Sequence, residues 1–307
     1  REKGRHIVSS AVEHPAVENV LCYLESEGWR VTRVAVDGTG QVNPAEVAAA
    51  VTDETVLVSI MHANNEVGTI NDLAAIAAHI KGRGIVFHTD AAQSVGKVPT
   101  LVDELGVDLL TVAGHKLYAP KGVGALYVRR GTPIAKVTFG AGQEAGLRPG
   151  TENVPHIVGL GRACALAEVE MDVRTRHVKT LRDQLHAILV ESLCDGEVRL
   201  NGHPEQRLPN TLNVSFRGVD GAALLATVEA VVAASAGAAC HANEADSSVL
   251  GAMAVPADYR NGAIRLSTGR LLTVEDVVRA GAAIVAACGS RVSPRVPRRS
   301  GSCRRRR

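Results

Sequence analysis

The first half of the chain alternates between two hydrophobic spacings. Short, β-branched apolar runs stand at 30–36 (RVTRVAV), 55–61 (TVLVSIM), 84–90 (GIVFHTD), 108–114 (DLLTVAG) and 124–130 (GALYVRR). Runs of this length and composition predict buried strands. Between several of them, 15–27, 43–51 and 72–82 carry the wider spacing of helices. In NPAEVAAAV, Asn43 is placed to cap a helix that has Pro44 at its first position. Strands alternating with helices predict an α/β architecture, a mainly parallel sheet with helices on its faces. GALYVRR follows its predecessor too closely for a crossover, so that pair is expected to be antiparallel.

From about Val154 the pattern changes. A long helical stretch runs to about Leu193. Strands are expected at 211–216 (TLNVSF), 230–235 (AVVAAS) and 263–268 (AIRLST), with helices at 220–228 and 273–287. That is a smaller α+β unit. The expected division is a large domain over 1–170, a small domain over 171–289 and an arginine-rich, disordered tail over 290–307.

In open α/β sheets, ligands bind beyond the carboxyl ends of the strands. Three polar clusters fall at or just past such ends: Asn64-Asn65-Glu66, Asp90 to Gln93, and His115-Lys116. Each has an ordinary reading: a turn residue for Asn65, a helix cap for Asp90, a surface lysine beside a turn for Lys116. Their coincidence on one rim favours a site. A lysine where a strand ends in the interior is expected to be buried, and burial lowers an amine's pKa. A neutral amine attacks carbonyls. The cofactor that exploits this is pyridoxal phosphate. It needs an acid at the ring nitrogen, a donor to the phenolic oxygen, a flat group on the ring face and donors to the phosphate. Asp90, Gln93, His14 and a threonine-rich or backbone site answer to these needs.

Composition narrows the choice. Of 307 residues, 46% are hydrophobic and 3% aromatic, so the chain is globular and is no stacking platform for nucleic acid. No apolar run approaches a membrane span. The opening REKGRHIVSS has no secretory pattern and is expected to begin mid-domain. Six scattered cysteines without a C-x-x-C pair form neither a zinc nor a disulfide framework, which points to a reducing, cytoplasmic compartment. The net charge is +2, but the tail alone carries eight arginines and no acid. Its chemistry allows non-specific contact with RNA or an anionic membrane.

The stretch SAGAACHANEADSSV (235–249) is small and polar and holds one thiol, Cys240. An exposed thiol with thiolate character is reactive. Cys22 and Cys164 sit on expected helices and read as small hydrophobes. Cys240 and His241 are adjacent with no second pair, which argues against zinc.

The stretches SAVEHPAVEN, VSIMHANNEVGT, HTDAAQSVGK, GHKLYAPKGVGALYVRRG, RPGTENVPHIVGLG and GAACH, taken together over residues 5 to 288, resemble the cysteine desulfurases and selenocysteine lyases. These are class V pyridoxal-phosphate enzymes of fold type I. The resemblance implies a mainly parallel, seven-stranded type of sheet, a smaller C-terminal domain, a homodimer and a sulfur-acceptor protein. It implies Lys116 as the Schiff-base lysine and Asp90 as partner of the pyridinium nitrogen. Gln93 would serve the phenolic oxygen and His14 would stack on the ring. Asn65 would lie near the phenolate and the substrate carboxylate, and His115 and Thr151 would bind phosphate, Thr151 across the dimer. Arg265 would clamp the substrate carboxylate, and Cys240 would take the sulfur as a persulfide.

Three features depart from the family's pattern. Its upstream glycine-rich phosphate turn has no counterpart in this chain. Ala113 stands where desulfurases often carry serine. The arginine-rich tail has no counterpart in the family's pattern. GAACH and RPGTENVP lean toward selenocysteine lyase, while MHANNEVG and GHKLYAPKGVGALYVRR lean toward desulfurase. L-cysteine is the expected substrate, with L-selenocysteine the alternative. An inactive scaffold for sulfur-transfer partners is the reading from another class.

Overall fold

A computed structural model describes residues 4–236 and 247–291. Cys240 and the tail beyond Arg291 lie outside the described residues. The chain divides into two compact units. The first comprises residues 1–36, 42–64 and 70–174, and the second 37–41, 65–69 and 175–307.

The first unit is built on a six-stranded sheet. In chain order its elements are β1 (His6–Ser10), α1 (Pro15–Ser26), β2 (Arg30–Val34), α2 (Pro44–Ala50), β3 (Thr55–Ser59), α3 (Leu73–Ile80), β4 (Val86–Asp90), α4 (Val102–Leu105), β5 (Leu109–Ala113) and β6 (Gly124–Val128). The strand order is β2-β1-β3-β4-β5-β6. Every pair is parallel except β5 with β6, which is antiparallel as its short connection requires. The chain leaves β1 toward one side and later builds β3 onward on the other. The strand order therefore reverses between β1 and β3, where this architecture opens a crevice at the carboxyl ends.

Val8, Val58, Ile60, Phe87 and Leu110 form the sheet's apolar centre, with Leu73 and Ile76 of α3 packed into it. Each such side chain contributes about 1.5–3 kcal/mol by leaving water. Asn43 caps α2 through a side-chain bond to the Ala45 amide, with Pro44 at the helix start.

Strand β1 escaped the sequence expectation because HIVSS is half polar. Its polar groups are satisfied across the sheet. The imidazole of His6 bonds Thr55 Oγ1 at 2.7 Å and Thr32 Oγ1 at 2.9 Å, touching both neighbouring strands. His88 of β4 repeats the arrangement with Ser59 Oγ at 2.8 Å and Thr111 Oγ1 at 2.9 Å.

In the second unit, β7 (Val198–Asn201), β8 (Thr211–Phe216) and β9 (Ala263–Ser267) form an antiparallel sheet in that order. The 39-residue helix α5 (Val154–Ser192) begins in the first unit and ends in the second. α6 (Gly221–Val228), α7 (Ser248–Ala252), α8 (Ala257–Arg260) and α9 (Val274–Arg291) complete the unit. Its core joins Leu181, Leu185 and Leu189 to Val214, Phe216, Leu224, Ile264 and Ile284. The strand expected at 230–235 does not form. Residues 232–234 are coil, and only Ser235 pairs, in an isolated bridge with Arg265. No helix among the described residues is long and apolar enough to cross a membrane.

Candidate active site

Four strands of the first unit, β1, β3, β4 and β5, end on one rim, and the chemistry-bearing residues follow those ends. After β1 the chain turns once and enters α1, with Pro15 at its first position. His14 is the helix cap: its Nδ1 accepts from the Ala16 amide at 3.1 Å. That bond makes Nδ1 the acceptor and places the proton of the neutral ring on Nε2.

Asp90 closes β4 and is 9% exposed. Its Oδ1 accepts from the Ala92 amide at 2.8 Å, so it caps the turn that follows, and the ordinary capping reading holds locally. Gln93 stands in that turn. The ammonium of Lys97 bonds the Gln93 carbonyl at 2.8 Å and its Oε1 at 3.3 Å. With the amide oxygen engaged, the amide nitrogen is the end left to donate.

His115 and Lys116 lie on a single 3-10 turn, Gly114–Leu117, directly after β5. The turn is tight: a Cβ at Gly114 would sit 2.7 Å from the Val123 carbonyl oxygen. Leu117 is buried by the turn and Tyr118 follows in the left-handed region at φ 69°. That geometry turns Lys116 outward. The expectation of a buried lysine is therefore corrected: Lys116 is exposed, as is His115. Thr151 is also exposed, in the coil three residues ahead of α5.

Two buried groups on this rim were missed at the level of sequence. His62, four per cent exposed, bonds Ser94 Oγ through Nδ1 at 2.9 Å, and its backbone amide donates to the Asp90 carbonyl at 2.9 Å. Burial pushes the His62 pKa down to about 4. Glu13, between Val12 and His14, is buried with its pKa pushed up to about 8, chiefly by loss of water. Its signal in the sequence was an acid wedged between Ser9-Ser10 and a helix-capping histidine.

His62 gives the fold an acid limit. Its folded pKa lies below the ordinary 6.5, so its contribution is intact above about pH 6.5 and is lost as pH falls toward 4. The expected loss is about 3 kcal/mol. His6 and His88, also depressed by burial, act in the same direction. Denaturant unfolding of wild type and His62→Gln at pH 7 and pH 4.5 measures it: on going to pH 4.5 the wild type should lose about 2–3 kcal/mol relative to the variant, in which Glu13 titrates unchanged.

In the second unit, Arg265 on β9 is half-buried, and its Nη1 donates to the Asn65 carbonyl at 2.7 Å. Its backbone exchanges two bonds with Ser235, at 2.7 and 3.2 Å. Glu66, buried, accepts from Ser247 Oγ at 2.6 Å. The structure thus brings Arg265 and Asn65 together in one unit. In the other it gathers His14, Asp90, Gln93, His115 and Lys116 along one rim.

The comparisons with known proteins agree on the family. The model of the class-V aminotransferases matches residues 1–279. The cysteine desulfurase IscS of Methanosarcina thermophila is 45% identical over 282 residues, covering 91% of this chain and 69% of that protein. A cysteine desulfurase of Trichormus azollae is 44% identical over 277 residues, covering 90% and 69%. A solved NifS-like protein superposes with a TM-score of 0.87 at 36% identity, covering 94% of this chain and 76% of that one. The chain belongs to the class-V aminotransferases, a pyridoxal-phosphate-dependent family, and within them to the cysteine desulfurases.

Proposed function

We propose that this chain removes sulfur from L-cysteine, yielding L-alanine and a persulfide on Cys240 for delivery to an acceptor protein. The observation that carries the reading is the gathering of a buried carboxylate, an amide, an imidazole and an amine at the ends of β1, β4 and β5. That donor set fits pyridoxal phosphate. When bound, the cofactor supplies an electron sink for the charge that develops at the substrate's Cα.

The chain's own residues divide the remaining work. Lys116 is the amine that would hold the cofactor's aldehyde and carry the Cα proton. Its exposed position leaves the amine open to both partners. Asp90, already fixed by the Ala92 amide, would hold the proton on the ring nitrogen. Gln93 would donate an amide N–H to the phenolic oxygen. His14, with Nδ1 tied to the helix start, offers its flat face and an Nε2 proton. His115 and Thr151 serve the phosphate. Arg265 receives the substrate carboxylate, a fork-shaped donor for a two-oxygen acceptor, and Asn65 lies beside it.

Cys240 completes the reaction. Its thiolate attacks the substrate's sulfur, the Cβ–S bond breaks and an S–S bond forms. The carbon fragment takes up a proton and leaves as alanine. A homodimer, a sulfur-acceptor protein and a reducing cytoplasmic setting belong to the same reading.

Product analysis tests it. With L-cysteine the protein should release alanine and leave one persulfide sulfur on Cys240. With L-selenocysteine it should release alanine too, since a selenol leaves more readily than a thiol. Alanine from selenocysteine alone would move the assignment to selenocysteine lyase, and alanine from neither substrate would leave only a scaffold.

A further inference from the structure

Glu13 has no part in the chemistry above, yet it sits at the point where the strand order reverses. It follows β1, and its Oε1 accepts two bonds. Ser10 Oγ donates at 2.6 Å from the end of β1, and the Met61 amide donates at 2.9 Å from the chain leaving β3. Its Oε2 is buried without a hydrogen-bond partner. A second bond runs parallel to this one, Asn64 Nδ2 donating to the Val12 carbonyl at 3.1 Å. The two together clasp the turn that carries His14 onto the segment that follows β3.

The bare oxygen decides the protonation state. A charge on it would be buried with no partner, which costs far more than burying a neutral hydroxyl. The charged groups that act on Glu13 are Asp90 at the end of β4 and Glu18 in the first turn of α1, both anionic and both opposing its ionisation.

We propose that Glu13 is a positioning residue that works as a neutral carboxylic acid, clasping the His14 turn to the chain beyond β3 while keeping a second negative charge away from Asp90. The inference rests on the proposed roles of His14 and Asp90. Its logic is a division of labour between two buried acids on one rim. One, Asp90, would face the ring nitrogen of the cofactor. The other keeps its proton and serves as an acceptor for Ser10 and Met61.

The sign of its pH dependence follows from the folded pKa near 8 against an ordinary 4.5. Glu13's contribution is fully present below about 4.5, drains away as pH rises and is gone above about 8. Between those limits the unfolding constant rises about tenfold per pH unit on its account. The test compares the holoprotein with Glu13→Gln in urea from pH 6.5 to 8.5, above the range in which His62 titrates. Glutamine keeps the acceptor for Ser10 and Met61 and cannot ionise, so the variant should lack the tenfold-per-unit rise. The cofactor's induced circular dichroism should persist in Glu13→Gln and fall in Glu13→Ala, where the clasp is lost.

A measurement on the unmutated holoprotein needs no variant. Its infrared spectrum should show a buried carboxylic-acid C=O stretch at pH 6.5 that vanishes by pH 9. Superimposable unfolding profiles for wild type and Glu13→Gln, or no carboxylic-acid band at pH 6.5, overturns the proposal. Borohydride reduction followed by peptide mapping separates this from the function itself. An adduct absent from Lys116 defeats the cofactor reading while leaving the Glu13 pH signature intact.

Discussion

Lys116→Ala should abolish turnover and, with it, the cofactor's protein-bound absorbance. The amine is asked to do two jobs, attachment and proton transfer. Proton transfer by a placed group is alone worth about 10²–10⁴ in rate. Losing covalent attachment adds to this, so kcat with L-cysteine should drop by more than about 10³. Stability should barely change, because the side chain is exposed on the 3-10 turn and Leu117 supplies that turn's buried anchor. Steady-state alanine release and the visible spectrum measure the first effect, and thermal unfolding in the absence of added cofactor measures the second. A Lys116→Ala protein that still desulfurates at more than a few per cent of the wild-type rate removes the lysine from the mechanism.

Cys240→Ala should separate the two halves of the reaction. The cofactor absorbance should remain, because His14, Asp90, Gln93 and Lys116 are untouched. Sulfur release from L-cysteine should fall by at least about 10², the contribution of a lost nucleophile. Among the described cysteines, Cys288 is buried, Cys22 is held by Glu18 at 3.3 Å, which pushes its thiol pKa up, burial raises that of Cys164, and Cys194 is exposed. Cys194→Ala in the same background checks that it does not stand in. Desulfuration at the normal rate by Cys240→Ala would refute the persulfide role.

β3, β4 and β5 were legible because they belong to apolar, β-branched runs that supply the sheet's core. Asn43-Pro44 announced α2 through backbone chemistry alone, and the short link from β5 announced an antiparallel β6. β1, buried along its whole length, was illegible because three of its five residues are polar. His6, Ser9 and Ser10 look unsuited to an interior until the hydroxyls and carbonyls of neighbouring strands are in place, and Ser9 Oγ donates to the Ser59 carbonyl at 2.8 Å. AVVAAS misled because its apolar residues serve the core of the second unit from coil, Val232 among them. At the site, residue types were readable but environments were not. Lys116 was expected inside and is outside, because a glycine at 114 permits a turn that period-two patterning does not reveal. Glu13 went unnoticed because its burial depends on Met61, 48 residues away.

The two strand-spanning imidazoles bear on how the sheet assembles. Where both faces of a parallel strand are apolar, a slip by one position exchanges one apolar residue for another, so hydrophobicity alone sets the alignment weakly. A neutral imidazole offers one donor and one acceptor, and His6 and His88 each spend both on hydroxyls of the two adjoining strands. A slip by a single position would strand those hydroxyls and flip each ring to the opposite surface. The two histidines therefore favour the native alignment of the strands on either side of them, the strands whose ends carry the rim.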